Sequence, residues 1–232
     1  MEGPFKDPEI ADGERTVFRG FVGAEEAGSG LLVVERRSEG SQQLYGQSLT
    51  ASVGESEYHA DITFRRRSGT IHAERYRLET RQRDGAAFAA EEGRFRHVRV
   101  LQWGAEQHPY PRDLTPLLGC AVALRGLEFE QGAERTFSVW LANTVFWECE
   151  AKVEQAESVD LPVGRAHAWR VRVRPSLEQV DRALDKLVAG LLPPILLHFA
   201  EEPPHRLLRL EFPTGPFRWN PRGRVEATAL DP

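Results

Sequence analysis

The sequence has few cysteines and no long apolar run, and each shortage excludes a class of protein. Cys120 and Cys149 are its two cysteines, and no Cys-x-x-Cys spacing is present. A zinc ribbon and a thioredoxin-like motif are therefore excluded. Two buried free thiols are expected, with one disulfide bridge as the alternative. The longest apolar stretches, such as 191–197, contain prolines and are too short to cross a bilayer, so we expect no integral membrane segment.

The chain also lacks an excess of positive charge. Its formal net charge is -5 at pH 7, which is not the electrostatic pattern of a nucleic-acid-binding protein, so we expect no nucleic acid partner. Residues 1–8 show no basic stretch followed by an apolar run, which is the pattern of a secretory signal. We therefore expect a cytoplasmic protein, or a periplasmic one if a leader has been trimmed.

The common motifs of cofactor and metal chemistry are absent as well. Neither G-x-x-x-x-G-K-[ST] nor G-x-G-x-x-G occurs, so a nucleotide has no visible binding loop. There is no HExxH motif, and the seven histidines are scattered along the chain. No G-x-S-x-G elbow is present. The sequence therefore predicts no cofactor and no metal site.

Strand-like runs separated by short turns fill most of the chain. Short connections favour antiparallel neighbours over parallel crossovers. We expect residues 1–14 to form a flexible arm and residues 15–232 to form a single β-rich domain. The predicted strands are Thr16–Val22, Leu31–Arg37, Leu44–Val53, Glu57–Arg67, Thr70–Arg83, Phe95–Trp103, Arg135–Leu141, Val145–Val153, Arg165–Arg174, Ile195–Phe199, Arg206–Phe212 and Arg224–Ala229.

Two helices are predicted among these strands. A short one begins near Thr115 and ends near Leu124. The stronger pattern runs from Leu177 to about Ala189, where a Ser-x-x-Gln capping box precedes apolar residues at helical spacing. A sheet this large curls into a half-barrel or open barrel. We therefore expect a mainly β fold, in which the amphipathic helix 177–189 packs on the concave face of a large curled antiparallel sheet.

Period-two alternation selects the candidate binding residues. Trp147 and Cys149 share the apolar face of one predicted strand, and His167 and Trp169 share that of the next. If these strands pair, the two tryptophans are expected to be cross-strand neighbours. Together with Tyr76 they are predicted to line a ligand pocket. His167 is also the candidate general base, with a core histidine bonded to backbone as the alternative.

The C-terminal third carries a family resemblance. The run Leu161-Pro-Val-Gly-Arg-Ala-His-Ala-Trp-Arg-Val171 resembles the P-x-G-x-x-x-A-x-x-V strand of a family of uncharacterised bacterial β-proteins. The runs Leu197–Phe199 and Arg209–Phe212 resemble its closing hairpin, although His198 replaces a common tryptophan. The implied architecture is similar to the lipoprotein-localisation factors LolA and LolB, half-barrels whose hollow holds acyl chains.

Three functional hypotheses follow from the sequence. The first is that the hollow binds an apolar or lipid-like small molecule, which needs only an apolar cavity with a polar mouth. The second is a cofactor-independent enzyme, of cyclase or isomerase type, acting on a hydrophobic metabolite in the same hollow. The third is a structural or interaction protein whose interior is filled by its own side chains. The oligomeric state stays open.

Overall fold

The computed structural model describes residues 5–82, 87–95, 99–102, 106–109, 111, 113–142, 145–175, 193–215 and 219–231. Strands dominate these ranges, as predicted. They are β1 Phe5–Lys6, β2 Glu14–Val22, β3 Glu25–Glu39, β4 Gln42–Val53, β5 Ser56–Arg67, β6 Thr70–Gln82, β7 Ala87–Arg94, β8 Arg99–Gln102, β9 Glu106–Pro109, β10 Thr115–Pro116, β11 Glu134–Ala142, β12 Val145–Leu161, β13 Gly164–Pro175, β14 Ile195–Ala200, β15 Leu207–Pro213 and β16 Arg222–Asp231. The expected strand Phe95–Trp103 is wrong in its bounds, since Phe95 follows β7 and β8 begins at Arg99.

Fourteen strands form one sheet. Its order is β1-β6-β5-β4-β3-β2-β16-β15-β14-β13-β12-β11-β10, and β7 pairs with β6 beside β1. All pairs in this sheet are antiparallel except β10–β11, and β8–β9 form a separate ribbon. The chain returns to its start through β16, which pairs with β2. The predicted curled antiparallel sheet is thus confirmed.

Short turns fix the register of the long hairpins. Gly54 follows β4 with a φ of 58°, and Gly164 opens β13 with a φ of 113°, both in the region that disfavours a side chain. The turn between β12 and β13 leaves only two residues outside the strands. Because side chains alternate from such a turn, its position decides which residues face the core on both strands.

The two ends of the sheet meet along a seam that is closed by side chains. Among the described residues, no backbone pairing joins β1 or β6 to β11. Instead, the rings of Phe5 and Phe137 pack edge to face with centroids 5.6 Å apart, and those of Tyr76 and Trp140 with centroids 5.0 Å apart. The sheet is therefore an open barrel with an aromatic contact across its gap.

A short helical segment fills part of the barrel, and we call residues 117–126 the plug. It consists of the 3-10 turn Leu117–Gly119, helix α1 Cys120–Ala123 and the 3-10 turn Leu124–Gly126. Val122, Ala123 and Leu124 are fully buried by the sheet. The predicted helix is confirmed in place, although Thr115 belongs to β10 and the helical segment begins at Leu117.

Polar bonds hold the plug in the barrel. Arg125 donates two hydrogen bonds to the Glu14 carboxylate of β2, at 2.6 and 2.9 Å, and both side chains are almost completely buried. The Arg125 Nε also donates to the Pro204 carbonyl at 2.7 Å. Gln47 of β4 donates to the Leu118 carbonyl at 2.8 Å. A buried charge is tolerated only when paired in this way, so the pair fixes where the plug sits.

The N-terminal segment contributes to the same core. Phe5 and Ile10 are buried in the main hydrophobic cluster, and Tyr45 donates a hydrogen bond of 2.7 Å to Asp7. The division into arm and domain stays a prediction. The amphipathic helix predicted at 177–189 lies outside the described residues. Within the described ranges, no helix is long and apolar enough to cross a bilayer.

Candidate functional site

We define the upper end of the barrel as the one where β2, β4, β6, β11 and β13 finish. Apolar side chains near this end pack against the main core cluster but remain partly exposed to solvent. Trp147, on the face that carries Cys149, is 48% exposed. We call this set the upper apolar ring. Five members pack against the core cluster, and Trp147 is added as an exposed tryptophan at the same end: Leu49, Leu78, Ile195, Leu210, Val225 and Trp147.

Below the ring, core side chains are closed off from solvent. Tyr45, Ile62 and Phe199 are each 1% exposed or less, and the plug packs among them. The core is therefore dry where the plug lies, whereas apolar surface stays accessible at the upper end. An accessible apolar surface facing a barrel interior is the usual wall of a site for an apolar ligand.

Two predicted site residues stand together on β12. Trp147 lies opposite Val139 of β11, and Cys149 lies opposite Phe137. Burial raises the pKa of Cys149 to about 12, with a smaller contribution from the Glu148 carboxylate. The thiol is therefore protonated at neutral pH. Cys149 is therefore a poor nucleophile, since the thiolate is the nucleophilic form.

Tyr76 lies on the opposite side of the seam and is connected to β12 through Trp140. Its ring contacts the Trp140 ring, and Phe95 packs on the same indole with centroids 5.4 Å apart. Trp140 in turn lies opposite Phe146 of β12. These contacts connect Tyr76 to β11 across the seam, whereas Trp147 and Cys149 lie on β12, the next strand. A joint ligand site of Trp147, Cys149 and Tyr76 stays a prediction.

The other two predicted site residues lie elsewhere. Trp169 pairs with Ala156 rather than Trp147, so the expected cross-strand tryptophan pair is wrong. His167 pairs with Ser158, nine residues along β12 from Cys149, or about 30 Å of strand. The reason is the tight turn after Leu161, which sets the register of the hairpin.

His167 is exposed, and its nearest polar contact is the Ser158 hydroxyl at 3.5 Å. Trp169 is half-buried against the core cluster. Alternation predicted that both side chains face the core. However, the β12–β13 hairpin extends to Leu161, and His167 lies near that far end. The structure therefore separates the candidate base from the accessible apolar wall. A catalytic role for His167 stays a prediction.

Asp113 is a buried acidic residue that was not predicted as a functional residue from the sequence. Burial raises its pKa, while a hydrogen bond with Ser138 and the charge of Arg135 oppose that rise. Ser138 is buried on β11, and Asp113 lies two residues before β10, which pairs with β11. The parallel pairing of β10 with β11 joins distant parts of the chain, so no periodicity in the sequence could predict it.

The arginine row of β13 is neutralised by acids of β12. Arg170 and Arg172 both donate to Glu154, at 2.8 and 2.9 Å, and Arg174 lies 3.1 Å from Glu150. A basic strip for an acidic ligand is therefore not present on this face. These arginines are half-buried. In the described ranges, no three His, Cys, Asp or Glu side chains gather as a metal site.

The comparisons with known proteins identify the fold. No protein-family model matches the chain, and no curated protein matches it in sequence. A β-barrel-like protein of the domain of unknown function DUF1849 from Brucella abortus is similar in structure, with a TM-score of 0.51, 9% identity and coverage of 95% of this chain and 97% of that one. This similarity shows a shared β-barrel-like fold.

Two further solved structures align at lower similarity. A putative exported protein with a YmcC-like fold from Bacteroides fragilis has a TM-score of 0.36 and 7% identity, over 99% of this chain and 100% of that one. A putative lipoprotein from Parabacteroides distasonis has a TM-score of 0.29 and 8% identity, over 100% of both chains.

Proposed function

We propose that the protein binds an apolar or lipid-like small molecule at the upper end of its barrel. The observation that supports this function is the upper apolar ring, whose partly exposed side chains lie at one end of the core, with Trp147 beside them 48% exposed. Leaving this much apolar surface in water has a cost in free energy, and a bound apolar molecule would remove it.

In this proposal Trp147 contacts the ligand, and the more deeply placed Cys149 and Tyr76 form the floor of the site. The protonated Cys149 thiol suits an apolar floor. The filled lower barrel limits the ligand to the upper end, so the site holds one short apolar segment. A similar use of a half-barrel hollow is what the resemblance to LolA and LolB implies.

A neutral fluorescent dye, 1-N-phenylnaphthylamine, tests the proposal. We expect its emission to rise in the presence of the protein and to fall again when palmitate is added as a competitor. Trp147→Ala should weaken dye binding about tenfold, because central aromatic residues dominate apolar binding sites. Its melting temperature should change little, since the side chain is half exposed.

Trp219→Ala is the matched control, because Trp219 is also an exposed tryptophan, at 78%, but belongs to the loop before β16. This variant should bind the dye like the wild type. The proposal is wrong if the wild type does not brighten the dye, or if the two variants lose equal affinity.

A further inference from the structure

Large apolar side chains that are exposed to solvent lie mainly at the upper end of the barrel. Val22 ends β2 and is 40% exposed, Val53 ends β4 and is 51% exposed, and Trp219 lies in the loop before β16. Trp147 is exposed at the same end. Within the described ranges, the other exposed large apolar residues are Leu117 of the plug and Val163 and Leu230 at the lower end.

Three tips at the upper end are neighbours, and we call their exposed apolar residues the tip patch. The Gly23 N–H donates to the Arg222 carbonyl at 3.1 Å, and a Cβ on Gly23 would lie 3.7 Å from the Pro221 side chain. On the other side of the β2–β3 tip, Val53 lies opposite Gly28 of β3. The members of the tip patch are Val22, Ala24, Val53, Trp219 and Pro221.

This composition is unusual for hairpin tips, which normally consist of polar residues and glycine. Two lower tips of the same hairpins follow the rule, with Glu39-Gly-Ser-Gln42 between β3 and β4 and Arg67-Ser-Gly-Thr70 between β5 and β6. Val22 and Val53 flank the upper turns instead, and neither belongs to the core cluster. Exposed apolar residues that cluster without a role in the core mark an interaction surface.

The charges beside the tip patch are negative. Glu25, Glu55 and Glu57 are exposed and form no ion pair within the described residues. The tips 22–25, 53–56 and 219–221 contain no lysine or arginine. An anionic lipid surface repels carboxylates, whereas the ammonium of a zwitterionic lipid head group attracts them. The face of an exposed indole ring attracts the same ammonium.

We propose that the tip patch docks the protein on a zwitterionic lipid surface. Trp219 would lie among the head groups, since tryptophan is favoured at membrane interfaces, and Val22 and Val53 would reach the outer acyl region. Separate apolar tips suit a fluid lipid surface better than a partner protein, because a stable protein interface needs about 800 Å² of complementary surface on each partner.

Docking through the tip patch goes beyond the proposed ligand site and does not require a bound ligand. The upper apolar ring lies at the same end of the barrel. Docking would therefore bring the proposed site to a source of lipid-like molecules.

Co-sedimentation of the full chain with sucrose-loaded phosphatidylcholine vesicles tests the proposal. We expect the wild type to partition onto these vesicles. Trp219→Ala should weaken partitioning about tenfold and Val53→Ser about threefold, because apolar area that leaves water on docking is lost. Val163→Ser is the matched control, since Val163 is an exposed valine in a hairpin turn at the lower end. It should partition like the wild type, and all three variants should keep the melting temperature.

The charge of the vesicles provides a second test. Anionic phosphatidylglycerol added to the vesicles should weaken partitioning, and the double variant Glu25→Gln/Glu55→Gln should reduce that effect. The proposal is overturned if the wild type does not sediment with phosphatidylcholine vesicles, if Trp219→Ala and Val163→Ser sediment equally, or if anionic vesicles are bound more tightly.

Sedimentation velocity without vesicles tests a competing occupant, a second copy of the chain. A wild-type dimer that Trp219→Ala converts to a monomer would assign the tip patch to self-association and overturn docking on lipid. The dye assay separates docking from ligand binding, because Trp219→Ala should lose the vesicles and keep the dye. Failure of either proposal therefore leaves the other standing.

Discussion

At the scale of single residues, His198 is a buried ionisable group of the sheet. It is 3% exposed, and its Nε2 lies 2.9 Å from a Glu157 oxygen. Its buried Nδ1 has no hydrogen-bond partner among the described residues. Burial lowers the pKa of this imidazole, and the Glu157 carboxylate opposes that effect only in part. Folded His198 therefore resists protonation.

This resistance predicts acid sensitivity. In the unfolded chain a histidine titrates near a pKa of about 6.5, so below that pH the unfolded state binds a proton that the folded state does not. Stability should fall as the pH drops from about 7 toward the lowered folded pKa. His198→Gln should reduce this loss, as measured by urea unfolding at pH 7.5 and pH 5.5.

Some acid sensitivity should remain in the variant, since burial lowers the pKa of His205 as well. Replacing the exposed His167 with Gln provides the control, and its pH dependence should match that of the wild type. Identical pH dependence in His198→Gln and the wild type would contradict the assignment.

At the scale of elements, the plug depends on a backbone contact that only glycine allows. The Gly126 Cα lies against the Lys6 backbone, and an added Cβ would approach the carbonyl oxygen to 2.1 Å. Gly126→Ala should therefore push the plug away from β1 and lower the free energy of unfolding by about 3 kcal/mol. Thermal and urea unfolding measure this change.

Gly20→Ala is the matched control on β2. A Cβ there would meet the Gly28 carbonyl oxygen at 3.6 Å, an ordinary contact, and the backbone conformation suits alanine. Its stability should equal or exceed that of the wild type, because alanine lowers the entropy of the unfolded chain. Equal destabilisation by both substitutions would show that plug and β1 are not in close contact.

At the scale of the whole molecule, one core cluster joins the plug, the barrel wall and the seam. Cys149 belongs to this cluster and Cys120 packs against it, and both are free thiols. Burial raises the pKa of each thiol. We expect neither cysteine to react with a thiol reagent in the native state, and both to react in the same urea range in which the circular dichroism changes.

Single variants Cys120→Ala and Cys149→Ala assign the two thiols in this measurement. If the plug can leave the barrel by itself, Cys120 will react at lower urea concentrations than Cys149. That result would contradict a single cooperative unit and would identify the plug as a separate folding element.

Features of this fold that depend on residues close together in the chain were predictable from the sequence, and features that depend on distant residues were not. The strands from Thr16–Val22 to Arg224–Ala229 follow from local alternation and turn residues, and most bounds agree within a few residues. Local signals also predicted the short helix that ends near Leu124. The two-residue strands β1 and β10 were missed, because their pairing with β6 and β11 is set by distant partners.

The site was predictable only in part for the same reason. Alternation predicted an apolar face that carries Trp147 and Cys149; Cys149 is buried in the core cluster, whereas Trp147 is 48% exposed. The position of Trp169 relative to these two residues was not predicted, because the turn after Leu161 sets the register of the β12–β13 hairpin. The buried Asp113 and the Glu14–Arg125 pair join parts of the chain that no periodicity connects.

The sequence by itself determined the strand rhythm, the antiparallel neighbours and the absence of common cofactor motifs, because each depends on residues close together in the chain. Only the tertiary structure decided that the barrel is open along an aromatic seam, that residues 117–126 fill its lower part, and that the upper apolar ring stays accessible. These features arise where a curled sheet brings its first and last strands together, and their energies come from packing between residues far apart in the chain, such as Phe5 with Phe137 and Tyr76 with Trp140.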